Sequence, residues 1–246
     1  MAASARRLKL LLLSDLDGQI RSVTTLCEHV VCSADGDLNA VLVCGGHVAE
    51  REPSAYARNE GNAAAEGDMM ALISRLETIV CRVLYIPGEF TSRIAGVVDQ
   101  SDPPTTRPTG AEVAPNLTQY SVNCFAKTET LVPGVAVMGD ERLVGDGKDP
   151  AEGVDLLIVL RDLTATDESA SLDFHHIEII GGPHQAVQNN SPVISPAPPS
   201  GSLRLGQFTI LELAQRATDD SWTIVSNRLL ELPYREEDFD DVGTYT

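Results

Sequence analysis

Aromatic rings, basic side chains and long apolar runs are all scarce in this chain. Rings make up 4% of its 246 residues, so Leu, Val, Ile and Ala must fill any interior. At 43% apolar residues there are enough of them for a folded core, which excludes wholesale disorder and collagen-like structure. Lys and Arg number 18 against 36 Asp and Glu, a formal net charge of −18. The clustered cations that neutralise nucleic-acid phosphates or meet an anionic membrane are therefore missing, and no nucleic-acid partner is expected. No membrane insertion is expected either. The apolar stretch near the start is interrupted by Lys9, so that only Leu10–Leu13 are consecutive, and Asp15 and Asp17 follow at once. A signal needs roughly 7–15 apolar residues and a spanning helix about 20. The cysteines (Cys27, Cys32, Cys44, Cys81, Cys124) are few, odd in number and mostly inside apolar runs. They read as reduced core residues of a cytoplasmic protein. Without a secretory route, the sequon Asn116-Leu-Thr118 reads as chance.

What is present is a series of short apolar runs of strand length: Leu8–Ser14, Ala40–Cys44, Val80–Ile86, Val135–Met138, Val154–Leu160, Ile177–Ile180, Phe208–Leu213 and Trp222–Val225. Continuous runs predict strands buried on both faces. Between the early ones, Ile20–Cys32 gathers Ile20, Val23, Leu26, Cys27, Val30 and Val31 at helical spacing, and Asp68–Thr78 gathers Met69, Leu72, Ile73 and Leu76. Strand, helix, strand, helix, strand predicts an α/β first half. The second half, mostly strands with short connections, predicts a mixed or antiparallel sheet. Residues 50–67, 99–115 and 191–202 are polar or Pro-rich and read as loop insertions. A single domain over residues 1–232 is expected, since the length fits one large domain or two small ones at roughly 150 residues each. Residues 233–246 follow it as an acidic tail, which reads as a solvated charge run.

In open α/β sheets ligands sit beyond the carboxyl ends of the strands, so the residues after each apolar run carry the functional reading. In order they are Ser14-Asp15-Leu-Asp17-Gly18, then Cys44-Gly45-Gly46-His47, then Ile86-Pro87-Gly88-Glu89-Phe90, then Ile180-Gly181-Gly182-Pro183-His184. Ser200-Gly-Ser-Leu203 followed by Gly206-Gln-Phe208 completes the series. In order and spacing it resembles the calcineurin-like metallophosphoesterase family, whose pattern is Asp-x-His, then Gly-Asp, then Gly-Asn-His, then Gly-His-x-His. The resemblance spans Leu8 to Leu230 and implies an α/β sandwich of two mixed β-sheets flanked by helices.

It also implies a two-metal centre in which a shared carboxylate bridges ions roughly 3.5–4 Å apart. Against that pattern Gly46 stands at the bridging Asp, Glu89 at the Asn, Phe90 at the His that assists the leaving group, and Leu160 and Gly182 at two further His ligands. Asp15, Asp17 in place of His, and His184 remain as a remnant of the first metal site. Such a set implies at most one weakly bound divalent cation, Mn²⁺, Mg²⁺ or Zn²⁺. Asp15 and Asp17 equally suit capping of the following helix, and His47 is a substitute ligand beside the lost bridge. His175 and His176 lie on a strand that turns one of them inward and read as structural; Trp222 reads as core.

Leu11-Leu-Leu-Ser-Asp15-Leu-Asp17-Gly18 also resembles the first motif of haloacid dehalogenase-type phosphatases, and Gly145-Asp146-Gly147-Lys148-Asp149 their Mg²⁺ motif. Gln19 stands at their usual Thr, the second strand ends in Cys44-Gly45, and Gly145–Asp149 suits an ordinary turn. The leading expectation is a catalytically degenerate metallophosphoesterase-like protein acting as a scaffold among protein partners. The alternative is a divergent metal-dependent phosphoesterase using one ion at Asp15, Asp17 and His184.

Overall fold

The computed structural model describes residues 6–14, 16, 20–33, 37–44, 70–80, 82–86, 116–124, 127–139, 153–162, 176–181, 203 and 206–233. The predicted loops at 50–67, 99–115 and 191–202 fall wholly outside these, as do Gly145–Asp149 and all of the tail but Pro233.

Strand β1 (Arg7–Ser14) is the axis of the molecule. Parallel to it runs β2 (Ala40–Cys44), followed by β3 (Val83–Ile86) and β4 (Ser121–Asn123), while β9 (Gln207–Gln215) and β10 (Trp222–Glu231) join antiparallel on its other side. The resulting order is β10-β9-β1-β2-β3-β4. A second sheet has the order β5-β6-β7-β8, from β5 (Thr128–Val132), β6 (Val135–Gly139), β7 (Leu156–Asp162) and β8 (His176–Gly181). In it β5 is antiparallel to β6 while β6, β7 and β8 are parallel. Both sheets are therefore mixed, as expected.

Alternation along β1 shows why a leucine run is needed there. Leu8, Leu10 and Leu12 face the second sheet and join Leu42, Leu84, Val137, Ile158, Leu160, Ile179 and Trp222 in one core. Leu11 and Leu13 face the other way, toward helix α1 (Ile20–Cys32) and the helical residues 70–76. Each such buried leucine contributes about 1.5–3 kcal/mol relative to exposure. The two described helical segments thus both cover the outer face of the first sheet.

Several expectations need adjusting. On α1 the buried residues are Val23, Thr25, Leu26, Cys27 and Val30, whereas Ile20 is 44% exposed and Val31 61%. Positions 23, 26, 27 and 30 centre the apolar stripe, and a residue one step further round lies about 100° away. The second helix stops at residue 76 and gives way to a turn over 77–79, closed by Ile79 N–H donating to the Leu76 carbonyl at 3.0 Å. That turn delays β3 to Val83, so the run from Val80 is strand only in its second half. Strands β4 and β5 carried no apolar run. β5 is a half-exposed sheet edge reading Thr-Glu-Thr-Leu-Val, joined to β6 through Gly134 at φ +85°, a conformation that glycine adopts freely. Trp222 is core, at 1% exposure, and so are Cys27, Cys44 and Cys124, but Cys32 is exposed. Among the described residues no helix is long and apolar enough to cross a membrane.

Candidate functional site

The parallel strands of both sheets end at one end of the sandwich. In the first sheet Ser14 is in register with Cys44, and Cys44 with Ile86. In the second, Gly139 pairs with Leu160, Leu160 with Ile179, and Asp162 with Gly181. Two sets of contacts tie the ends together across the sandwich. The Cys44 thiol donates to the Ile179 carbonyl at 3.6 Å, joining the last residue of β2 to β8. Gly139 N–H, at the end of β6, donates to the Cys124 carbonyl at 2.8 Å, and Cys124 N–H donates to the Tyr85 carbonyl of β3 at 2.8 Å.

The chain leaves this end one residue before Asp15, two before Gly46 and three before both Glu89 and His184. Asp15, Asp17, Gly46, His47, Glu89, Phe90, Gly182 and His184 themselves lie outside the described residues, as does His175. His176 opens β8. Of the positions compared with the family pattern, Leu160 is described. It is fully buried in the core between the sheets, beside Ile158 and Ile179. β7 runs two residues beyond it to Asp162, so the strand end lies later than the apolar run alone suggested. A hydrocarbon side chain offers no lone pair, so Leu160 itself cannot bind an ion.

Burial makes the Cys124 thiol at this end, and the Cys27 thiol on α1, poor reactive groups. Burial pushes the Cys124 thiol up to about 12, and burial likewise raises that of Cys27. A thiol held neutral is neither a nucleophile nor a ready ligand near pH 7. Sequence reading passed over two polar residues at these strand ends. Ser14 closes β1 with no exposure and Asn123 closes β4 at 2%. Both have polar interactions, and Asn123 N–H also donates to the Asn116 side-chain oxygen at 2.9 Å. The signal available for them was a polar residue ending an otherwise apolar strand. Among the described residues no three His, Cys, Asp or Glu side chains gather into a metal-binding group.

The opposite end is fastened as well. The Arg82 guanidinium donates to the Leu131 carbonyl at 2.8 Å, to the Thr130 carbonyl, and to Glu129 Oε1 at 3.2 Å. It thereby holds the start of β3 to the edge strand of the other sheet. The two sheets are thus tied to each other by hydrogen bonds at both ends.

A two-sheet α/β sandwich with parallel strand ends meeting at one end is the class of fold defined here. No family profile and no curated protein matches the chain. One solved crystal structure superposes at a TM-score of 0.53, with 11% identity, over 93% of this chain and 100% of the other. Calcineurin-like phosphoesterase YfkN from Bacillus subtilis superposes at 0.48, with 10% identity, over 95% of this chain and 94% of that one. The protein TT1561 of Thermus thermophilus gives 0.45, with 11% identity, over 93% and 100%. In fold the chain is similar to the first of these, and at 11% identity that likeness speaks of fold alone.

Proposed function

We propose that this chain is a catalytically degenerate protein of the calcineurin-like metallophosphoesterase fold, serving as a scaffold or interaction subunit among protein partners. The observation that carries the reading is Leu160, fully buried between the sheets at a position where the family pattern has a metal-binding His. Gly46, Glu89, Phe90 and Gly182 point the same way in sequence, because the bridging carboxylate, the leaving-group acid and the other ligands depart together. Two-metal hydrolysis needs those groups jointly to stabilise the attacking and leaving oxygens. Asp15, Asp17 and His184 remain as at most a weak site for one divalent cation, and the acidity of the chain favours protein partners over nucleic acid or a membrane.

The test is hydrolysis of aryl phosphates and bis-aryl phosphates with Mn²⁺ present, compared with a matched Asp15→Ala, His184→Ala double variant. The expected result is equal rates. A metal-dependent rate clearly above that of the double variant would establish the alternative, a phosphoesterase working through one ion at the ends of β1 and β8. The same protein used as bait in affinity purification should retain stoichiometric partners.

A further inference from the structure

A hydroxyl that another enzyme modifies must be exposed, unbonded and carried on backbone that can be drawn out of the fold, which favours loop tips over helices and strands. Among the described residues, Ser74, Thr128, Thr130 and Thr218 are exposed and have a hydroxyl that enters no hydrogen bond. Ser74 lies among the helical residues 70–76, and Thr128 and Thr130 lie in β5, whose backbone Arg82 grips. Of the four, Thr218 alone stands on a turn, residues 217–219, at the tip of the β9–β10 hairpin. The hairpin is fastened at the root of this turn. Arg216 N–H donates to the Ser221 carbonyl at 2.8 Å, Asp220 N–H to the Arg216 carbonyl at 3.1 Å, and the Gln215 side-chain amide to the Asp220 carbonyl at 3.0 Å. No backbone group of Ala217 or Thr218 takes part in these bonds, so the crown can be drawn out at little cost.

Charge decides the kind of enzyme. Asp219 and Asp220 directly follow Thr218. Asp219 accepts from the Ser221 hydroxyl at 2.7 Å and from its N–H at 3.1 Å; these bonds, with Arg216 close by, hold its carboxyl below the usual range, so it is ionised at neutral pH. Asp220 is exposed, at φ 57°. Two negative charges just beyond an exposed hydroxyl fit an enzyme whose substrate cleft is basic. Cations lie on the other side. Arg216 is two residues before Thr218, hence within about 7 Å along the chain. The Arg6 carbonyl accepts from Gln215 N–H at 2.9 Å, which places Arg6 at the root of the hairpin. Both arginines are exposed, and Arg6 enters no ion pair among the described residues. A phosphate on Thr218 carries about −1.5 to −2 charges, which Asp219 and Asp220 repel. Repulsion between exposed charges is screened, whereas a guanidinium bonds phosphate directly and in bidentate fashion, so the cations prevail.

We propose that Thr218 is a phosphorylation site for an acid-directed serine/threonine kinase, and that Arg216 and Arg6 receive the phosphate. In the transfer the Thr218 hydroxyl oxygen bonds to the γ-phosphorus of ATP and the bond from that phosphorus to the ADP oxygen breaks. The hydroxyl proton passes to the base of the kinase, and ADP leaves. The site is independent of the scaffold reading, since it needs no partner besides the kinase.

The full chain is incubated with ATP and a purified acid-directed kinase, and the modified residue is located by mass spectrometry. Phosphate should appear on Thr218. Asp220→Asn removes one of the two charges and keeps a residue type that tolerates positive φ, so the turn survives and the melting temperature should not change. Phosphorylation of Thr218 in that variant should be at least tenfold slower. In the phosphorylated protein the phosphate should titrate at lower pH, followed by phosphorus NMR, than in a phosphorylated Arg6→Gln, Arg216→Gln double variant. Absence of phosphate from Thr218 in the folded chain overturns the proposal, whether or not a peptide of residues 215–221 is modified. So does an unchanged rate in Asp220→Asn, which would show that the acidic pair does not direct the enzyme. Equal phosphate titrations in the parent and the double variant overturn the part given to the arginines.

Discussion

Two residues show how single side chains set this protein's limits. Gly134 turns β5 into β6 at φ +85°, and a Cβ there would come within 2.2 Å of the Asp155 carboxylate and 3.2 Å of the Trp222 indole nitrogen. Gly153 has a similar φ, +74°, with nothing within 4 Å among the described residues. Gly153→Ala therefore costs the conformational penalty alone, about 1 kcal/mol, and Gly134→Ala costs more, about 2–3 kcal/mol. Urea unfolding of both variants checks this; equal losses would show that crowding by Asp155 and Trp222 is unimportant. Cys124 sets an alkaline limit. Burial raises its thiol from 9.0 to about 12, so the folded state keeps a proton that the unfolded chain releases. The associated stability is complete below pH 9 and is lost as pH rises toward 12, at up to about 1.4 kcal/mol per pH unit. Cys27, also raised, adds in the same direction. The urea midpoint should fall steeply as pH rises from 9 toward 12, and Cys124→Ala should start lower but fall less steeply.

At the scale of elements, most of the architecture was legible because buried strands must be apolar throughout. Ala40–Cys44 reads as a strand and is β2 residue for residue, and Ile20–Cys32 reads as a helix and is α1. What escaped was whatever is stabilised by partners distant in sequence. β5 is polar and half exposed, and it is a strand because Val135–Met138 pairs with it and Arg82 grips its backbone. No local pattern encodes a bond across roughly fifty residues. Removing that grip should loosen the hairpin more than the sandwich. Arg82→Met keeps the aliphatic stem but leaves the Leu131 and Thr130 carbonyls without their donor, at about 1–3 kcal/mol for the unsatisfied groups. Amide exchange should accelerate across β5 and β6 while β1 and β2 keep their protection. Uniform acceleration would mean that Arg82 supports the whole sandwich.

At the scale of the whole molecule, the apolar runs marked the strand ends and the sandwich brings those ends together, while the residues that follow them were legible only as a family pattern. Leu160 shows the limit of reading from runs alone: the strand continues to Asp162, and the position compared with a His is core. The assembled end allows a separation of binding from catalysis. Gly46→Asp places a carboxylate two residues past Cys44, which touches β8 through Ile179. With Asp15 and His184 following β1 and β8 on the chain, a third ligand should tighten Mn²⁺ binding. On the proposed reading turnover should be absent, because Leu160, Gly182 and Glu89 would provide no second ion and Phe90 no acid. A tighter site should also be visible as stability, since a ligand that binds only the folded state adds about 2.7 kcal/mol at a hundredfold excess over Kd. Calorimetry and thermal unfolding of Gly46→Asp in Mn²⁺ should both show the gain relative to the parent, with phosphoesterase rates unchanged. Activity in that single variant would show a working centre without the missing groups. Unchanged Mn²⁺ affinity would show that the segments following β1, β2 and β8 do not converge on one ion.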